Sequence, residues 1–300
     1  MTQADMSRHQ DLNALVARFS KGYQLCCCPA LQEMERSVLG CDYGGTSWTT
    51  QGEAVHVAEV LELGPDMQLL EIGAGSGWPG LYLAQITGCD VLLTDVPFAG
   101  LQAALARASA DGVGARCRVI GADAAELPFR DDSFDALSHS DVLCCLPDKL
   151  SVLMECRRVA RAGAKMVFSV IAPAPGLSES DYREAIASGP AFVDVAGGYA
   201  QLLRDSDWRV LKRTDVTKEF GQTLRASVEE LEARADVLAN VLGSADFAER
   251  VQHRKATITA VERGLLQREI FVSTTSGPGR SPLVRSDGLA QNPIKRQDRR

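Results

Sequence analysis

Met67-Gln-Leu-Leu-Glu-Ile-Gly-Ala-Gly-Ser-Gly-Trp-Pro-Gly-Leu-Tyr-Leu-Ala84 decides how this chain is read. Residues 68–73 suit a short buried strand, the segment after Trp78 has helical spacing, and Gly73, Gly75 and Gly77 stand at alternate positions between them. Glycine adopts backbone angles that a Cβ forbids and lets the main chain approach a ligand closely. A strand, a glycine loop and a helix in that order predict a nucleotide-type site at the strand's carboxyl end. A dinucleotide fingerprint would put its third glycine three residues after the second; Trp78 occupies that position, and Gly77 comes one residue early. Pro79 fits the first helical turn, where a missing N–H has no partner to lose.

Outward from this loop the same alternation repeats. Apolar runs at 68–73, 90–95, 116–121, 133–139 and 164–171 are strand-length, and several of the spacers are helical. Strands separated in this way require right-handed crossovers and a largely parallel sheet. After Val170 come an irregular stretch with Pro173, Pro175 and Gly176, a helix at Gly197–Arg204, and a sixth strand at Trp208–Thr214. Two helices follow at about 223–242 and 245–263, then a seventh strand at Leu266–Thr274. Before the first strand, amphipathic segments at Asp11–Phe19, Pro29–Val38 and Gln51–Leu63 flank a glycine-rich loop at 40–50. The predicted fold is α/β: a Rossmann-like, seven-stranded doubly wound domain over 65–276. It carries a helical N-terminal lid over 1–64 and a helical cap insertion at about 220–264, before the last strand.

Composition narrows the functional classes. The 300 residues are 45% hydrophobic and carry a net charge of −7. Residues 277–300 hold six Lys/Arg and two Asp/Glu, so the remainder sums to −11 (−7 minus +4). An acidic body argues against nucleic acid as a partner, because phosphate contacts need a basic face. The basic Pro/Gly/Ser-rich tail at 277–300 reads as disordered. No apolar run reaches the roughly 18–20 residues of a membrane span, and the first residues lack the apolar core of a secretion signal. The expectation is a cytoplasmic protein. Its nine cysteines form no CxxC pair and read as reduced thiols.

The glycine loop has companions at the ends of the next strands. Asp95 closes Asp90-Val-Leu-Leu-Thr-Asp95, where a carboxylate can accept from two ribose hydroxyls, and Asp123 follows the third strand in Val119-Ile-Gly-Ala-Asp-Ala124. Glu71-Ile-Gly-Ala-Gly-Ser-Gly77 resembles the first motif of class I S-adenosylmethionine-dependent methyltransferases. The fourth strand with its loop, Asp132-Ser-Phe-Asp-Ala-Leu-Ser-His-Ser-Asp-Val-Leu-Cys-Cys-Leu-Pro-Asp148, is similar to the small-molecule branch that includes ubiquinone/menaquinone, tocopherol, sarcosine and phosphoethanolamine methyltransferases.

The resemblance covers 51–170 well and implies S-adenosylmethionine as cofactor. Glu71 would support its amino group, Gly73, Gly75 and Gly77 would wrap its methionine part, Asp95 would hold the ribose, and Asp123 with the Ala124 N–H would meet the adenine. It also implies a small-molecule methyl acceptor, with transfer to an O, N or C atom. Two departures stand out: Cys145 lies where relatives often carry His, and Arg161-Ala-Gly-Ala164 replaces a usual Pro-Gly-Gly.

Methyl transfer from a sulfonium is an in-line displacement with a leaving group that needs no proton, so a general base is optional. His139 and Asp141 are the catalytic candidates, since they sit beyond the fourth strand where open α/β sheets place ligands; a structural histidine is the alternative. Tyr43, Trp48 and Thr49 in the glycine-rich loop are candidates to contact the cofactor or substrate, with docking on the core as the alternative, and Tyr23 is a weaker one. Cys26-Cys27-Cys28 raises a soft-metal or arsenic reading, but adjacent cysteines cannot readily turn to one centre, so no metal is assigned. Arg225, Arg234, Arg250 and Arg254, interleaved with glutamates, read as solvated helix faces. The competing functions are a nicotinamide-dependent oxidoreductase, disfavoured by the glycine spacing and Asp123, and a cofactor-binding protein without turnover.

Overall fold

The computed structural model describes residues 3–44 and 46–275, with side chains from residue 12 onward; the basic tail read as disordered lies outside the described residues. One sheet contains β1 (Gln68–Ile72), β2 (Asp90–Asp95), β3 (Cys117–Gly121), β4 (Phe134–Ser140), β5 (Ala160–Pro173), β6 (Trp208–Asp215) and β7 (Leu266–Thr275). Their order is β3-β2-β1-β4-β5-β7-β6, with β7 antiparallel to both its neighbours and the other pairs parallel. Connections leave β1 toward β2 and later return to β4 on its other side. The crevice between the carboxyl ends of β1 and β4 is therefore the topological switch point where such sheets bind ligands.

Strand alternation divides the core in two. Leu69, Leu93 and Ala136 face helices α3 (Gln51–Leu61), α4 (Gly80–Thr87) and α5 (Phe98–Ala110), where they meet Leu61, Leu81 and Leu101. Leu70, Ile72 and Leu137 face α6 (Lys149–Val159) and α8 (Tyr199–Asp205), packing with Leu153 and Leu203. Helices cover both faces, which is why these strands read as apolar runs.

Three local readings change. Arg161–Ala164, ahead of the strand expected at 164–171, belongs to β5: Gly163 has φ of 78°, and the register with β4 slips between Phe134 and Ala136, so the strand starts early through an irregularity. Helix α7 (Glu179–Ser188) occupies part of the stretch expected to be irregular, started by the Ser178 side chain, which accepts from the Asp181 N–H at 3.1 Å. The insertion before β7 has three helices instead of two, α9 (Thr217–Ala233), α10 (Ala235–Leu242) and α11 (Ser244–Glu262), because Arg234 leaves helical angles at φ −112° and ψ 22°.

At the amino end lie α1 (Gln3–Tyr23) and α2 (Pro29–Leu39), ahead of α3. Leu31 and Met34 of α2 pack with Leu231, Leu238, Leu242 and Val251 of the insertion, so two segments far apart in sequence form one roof. A buried guanidinium fixes α3, the helix that follows, to the sheet. Arg268 of β7 donates from Nε to Asp141 Oδ1 at 3.0 Å, from Nη2 to Asp141 Oδ2 at 3.1 Å, and from Nη1 to Glu53 Oε1 at 2.7 Å. Glu53 Oε2 also accepts the Thr50 N–H at 2.9 Å, completing the capping box of α3. One carboxylate thus starts a helix and anchors it to β7.

Removing Arg268 would strand the largely buried Asp141 carboxylate and the partly buried Glu53 carboxylate. Arg268→Ala is expected to cost about 3–5 kcal/mol in urea unfolding, whereas Arg225→Ala, which breaks an exposed pair with Glu262, should cost less than about 1 kcal/mol. Equal effects would mean that the buried triad carries no special weight.

Candidate active site

The glycine loop leaves β1 with Gly73, Gly75 and Gly77 at φ of 65°, 51° and 100°. A Cβ on Gly73 would lie 2.4 Å from Val142 Cγ2, and one on Gly75 would lie 2.6 Å from Tyr23 Oη. Neither position admits another residue without displacing a neighbour. Asp95, at the end of β2, holds the loop: its Oδ2 accepts the Gly75 N–H at 2.8 Å and its Oδ1 the Val96 N–H at 2.8 Å. Burial lifts the Asp95 carboxyl to about 6, against the lowering effect of those two donors.

Above the switch point lies a cavity of about 1120 Å³, larger than the roughly 300–1,000 Å³ of ordinary ligand pockets. Gly73, Gly75, Ser76, Asp95, Asp123 and Asp141 line its sheet side. Helix α1, Tyr23 and Trp48 line it from above. Asp123 Oδ1 accepts the Ala125 N–H at 2.9 Å, which fixes the turn after β3. Tyr23 is buried, with its hydroxyl 3.4 Å from Thr46 Oγ1, and desolvation together with Asp95 raises its phenol well above the usual range.

Other residues singled out from sequence do not line this cavity. Glu71 is 1% exposed beneath the loop, takes a short hydrogen bond from Ser138 Oγ, and is raised by burial to about 7. Gly77 packs toward Leu81, and Ala124 is buried with the α6 face of the sheet. His139 points to that same face, opposite to Ser138 and Ser140, as strand alternation requires. Its ring stacks on Phe168 at 4.6 Å, both nitrogens are buried without a partner, and desolvation lowers its pKa to about 3. Tyr43 lies against Trp78 at 5.1 Å, with the Arg107 guanidinium 4.3 Å from its ring centre. Thr49 is buried, and its carbonyl accepts from Trp78 Nε1 at 2.8 Å. Tyr43 and Thr49 dock the loop at 40–50 on the core, while Trp48 reaches the cavity. Asp141 lines the cavity, at φ of 56°, with its carboxylate engaged by Arg268.

The thiols do not converge. Cys26 and Cys27 Sγ are 3.7 Å apart, Cys144 and Cys145 line the cavity, and no group of three His, Cys, Asp or Glu able to hold a metal occurs among the described residues.

Residues 70–168 match the methyltransferase domain family model, across the strands and loops that carry Gly73–Gly77, Asp95 and Asp123. By this domain the chain is similar to the class I S-adenosylmethionine-dependent methyltransferases. It is 28% identical to methyltransferase GfsG of Streptomyces halstedii, over 64% of this chain and 69% of that one. It is 23% identical to phosphoethanolamine N-methyltransferase 1 of Zea mays over 72% of its own length, but spans only 43% of that enzyme. Among solved structures, phosphoethanolamine N-methyltransferase 2 of Haemonchus contortus, in complex with phosphomonomethylethanolamine and S-adenosylhomocysteine, superposes with a TM-score of 0.67 at 17% identity. That match covers 82% of this chain and 60% of that one.

The methyltransferase's loop fits the family's cofactor. Ser76 Oγ is buried in the loop without a hydrogen-bond partner, at the place where a carboxylate can accept from it. Asp95 retains acceptor capacity beyond its two backbone donors. Sequence reasoning gave Ser76 no role of its own and Tyr23 little weight. The aromatic residue at the end of α1 was visible, but only the fold brings it against Gly75.

Arg250 and Arg254 are a correction. Both line the cavity instead of forming a solvated face, and neither pairs with a carboxylate among the described residues. Sequence spacing suggested i,i+4 partners, but the two arginines lie on the inward side of α11, where Asp246 and Glu249 also line the cavity without an ion pair to either among the described residues.

Glu71 gives the methyltransferase a measurable pH signature. Its folded value of about 7 exceeds its ordinary 4.5, so folding takes up a proton between those values and this group's contribution to stability falls as pH rises through them. Glu71→Gln should therefore lose less stability than the parent between about pH 5 and about pH 8 in thermal unfolding of the ligand-free chain. An identical pH dependence in both chains would refute the buried, proton-binding carboxyl.

Proposed function

We propose that this chain transfers the methyl group of S-adenosylmethionine to an O, N or C atom of a small metabolite or natural product. The observation that carries the reading is one cavity joining the Gly73–Ser76 loop, Asp95 and Asp123 to a second lobe under α1 and α11 that these residues do not fill. Bound S-adenosylmethionine supplies an activated methyl on a sulfonium. In this reading Ser76 and the loop N–H groups hold its amino-acid end, Asp95 accepts from the ribose hydroxyls, Asp123 and the following backbone meet the adenine, and Tyr23 closes over the loop. Gly77, Glu71 and Ala124 support the loop and the turn from behind. Rate comes from aligning the acceptor and excluding water beneath the roof. Asp141, held by Arg268, shapes the wall beside the acceptor. His139, neutral and turned away from the cavity, contributes packing under β4, and Tyr43 and Thr49 keep Trp48 at the cavity wall. The domain boundaries follow the same division: a roof from 1–64 and about 220–264 over a cofactor domain at 65–276.

Calorimetry with S-adenosylhomocysteine and with NAD tests the cofactor, and tight nicotinamide binding without S-adenosylhomocysteine binding would sink the reading. Asp95→Ala is expected to weaken S-adenosylhomocysteine by about tenfold or more with the fold intact, since it removes charge-assisted hydrogen bonds.

The same carboxylate sets a pH dependence. Hydroxyl donors favour the ionised form, and that form is depleted as pH falls through about 6, so affinity should decline from about pH 7 to about pH 5. Asp95→Asn should flatten that decline, and an unchanged slope would place the titration elsewhere. Labelled methyl should appear in small molecules when the protein is given a metabolite extract. Label confined to RNA or protein would overturn the acceptor class.

A further inference from the structure

Between α1 and α11 the cavity is cationic, in a chain that is acidic overall. Arg18 of α1 and Arg250 and Arg254 of α11 line it, with His253 beside them. Arg254 lies 5.0 Å from the centre of the Trp48 ring and donates through Nη1 to Ser227 Oγ; no other acceptor reaches it among the described residues. Arg250 has no hydrogen bond or ion pair there, and Arg18 only rests against Phe19, its guanidinium carbon 5.8 Å from that ring's centre.

Two acidic groups share this end. Asp246 is held by Lys21, and Glu249 makes no ion pair among the described residues. A guanidinium has five donors in a planar fork, and Arg254 spends one of them on a neutral hydroxyl. Enclosing such a group without an anion is costly. Burial and the neighbouring Arg250 both disfavour the charge of Arg254; burial and Arg18 disfavour that of Arg250, against the opposing effect of Asp246. Trp48 and Ser227 nevertheless hold the Arg254 fork in a fixed orientation. The surrounding wall is apolar, with Leu12, Val16, Phe19 and Leu242 among its residues.

We infer that this lobe is the acceptor subsite and takes an amphipathic anion, an apolar molecule with a terminal carboxylate or phosphate that is bound by the Arg254 and Arg250 guanidiniums over Trp48. The inference rests on the methyltransferase reading and deepens it by naming the acceptor's class. An apolar body would lie along α1, and the methyl-accepting atom would stand away from the charged end, toward Asp141 and the glycine loop.

The test is a head-group series of equal chain length, titrated calorimetrically into the full chain with and without saturating S-adenosylhomocysteine: decanoate, decyl phosphate, decanol and decyltrimethylammonium. At least one of the two anions should bind roughly tenfold or more tighter than the alcohol and the cation, and which of them is tighter separates carboxylate from phosphate. Arg254→Met keeps an apolar stem on Trp48 and should remove roughly tenfold of that preference while leaving S-adenosylhomocysteine affinity unchanged. Arg254→Lys keeps the charge but loses the fork, and should fall between the two. Equal binding of all four head groups to the unaltered chain would overturn the inference without any variant. So would an anion preference that survives in Arg254→Met. Failure of S-adenosylhomocysteine to bind would instead remove the methyltransferase reading, and so the two failures are told apart.

Discussion

Arg268 sits where three parts of the chain meet. Its guanidinium is 1% exposed, rises from β7, and satisfies Asp141 at the end of β4 and Glu53 at the start of α3. Desolvation disfavours its charge, but two carboxylates at hydrogen-bond distance outweigh that effect and hold the group cationic. Asp141 can keep its positive φ because the surrounding bonds over-determine it: Arg268 takes the side chain, while the backbone N–H donates to Ser169 O at 3.0 Å. The wall beside the glycine loop and the attachment of α3 thus depend on one buried cation.

The cavity above it has opposite electrostatic ends. Asp95 and Asp123 make the sheet end acidic, where a sugar and an aminopurine offer donors, and Arg18, Arg250 and Arg254 make the roof end cationic. A sulfonium with its positive charge and an acceptor with a negative tail would be arranged head to tail across such a field, and register would follow from charge before any close contact forms.

Much of the sheet was legible because buried parallel strands leave a strong trace: short apolar runs, glycines after the first, and carboxylates at the ends of the second and third. Local alternation was harder to use where it mattered most. His139 and Ser138 are adjacent in sequence but lie on opposite faces of the sheet, and only the register of β4 against β1 and β5 says which of them faces α6. The roof was legible as helices but not as a surface. Nothing in the spacing of Arg250 and Arg254 reveals that the insertion folds over the cavity with those two side chains in its wall, and nothing in α1 reveals that Tyr23 ends against Gly75. Long-range packing decided both. The loop at 40–50 fell between these cases, since its aromatic content marked it as important while the division of labour between Tyr43, docked on Trp78, and Trp48, facing the cavity, depended on contacts made in three dimensions.

The roof is drawn from chain segments outside the glycine loop, Asp95 and Asp123, and meets that floor through Tyr23 at Gly75 and the Thr49 carbonyl at Trp78. Apart from Tyr23, Tyr43 and Thr49, and within the packing of Leu31 and Met34 against the insertion, residues 12–50 and 217–262 can change while the side chains of the floor stay as they are. The two ends of the cavity thus have separate addresses in the gene, and a substitution at one end leaves the side chains that line the other unaltered.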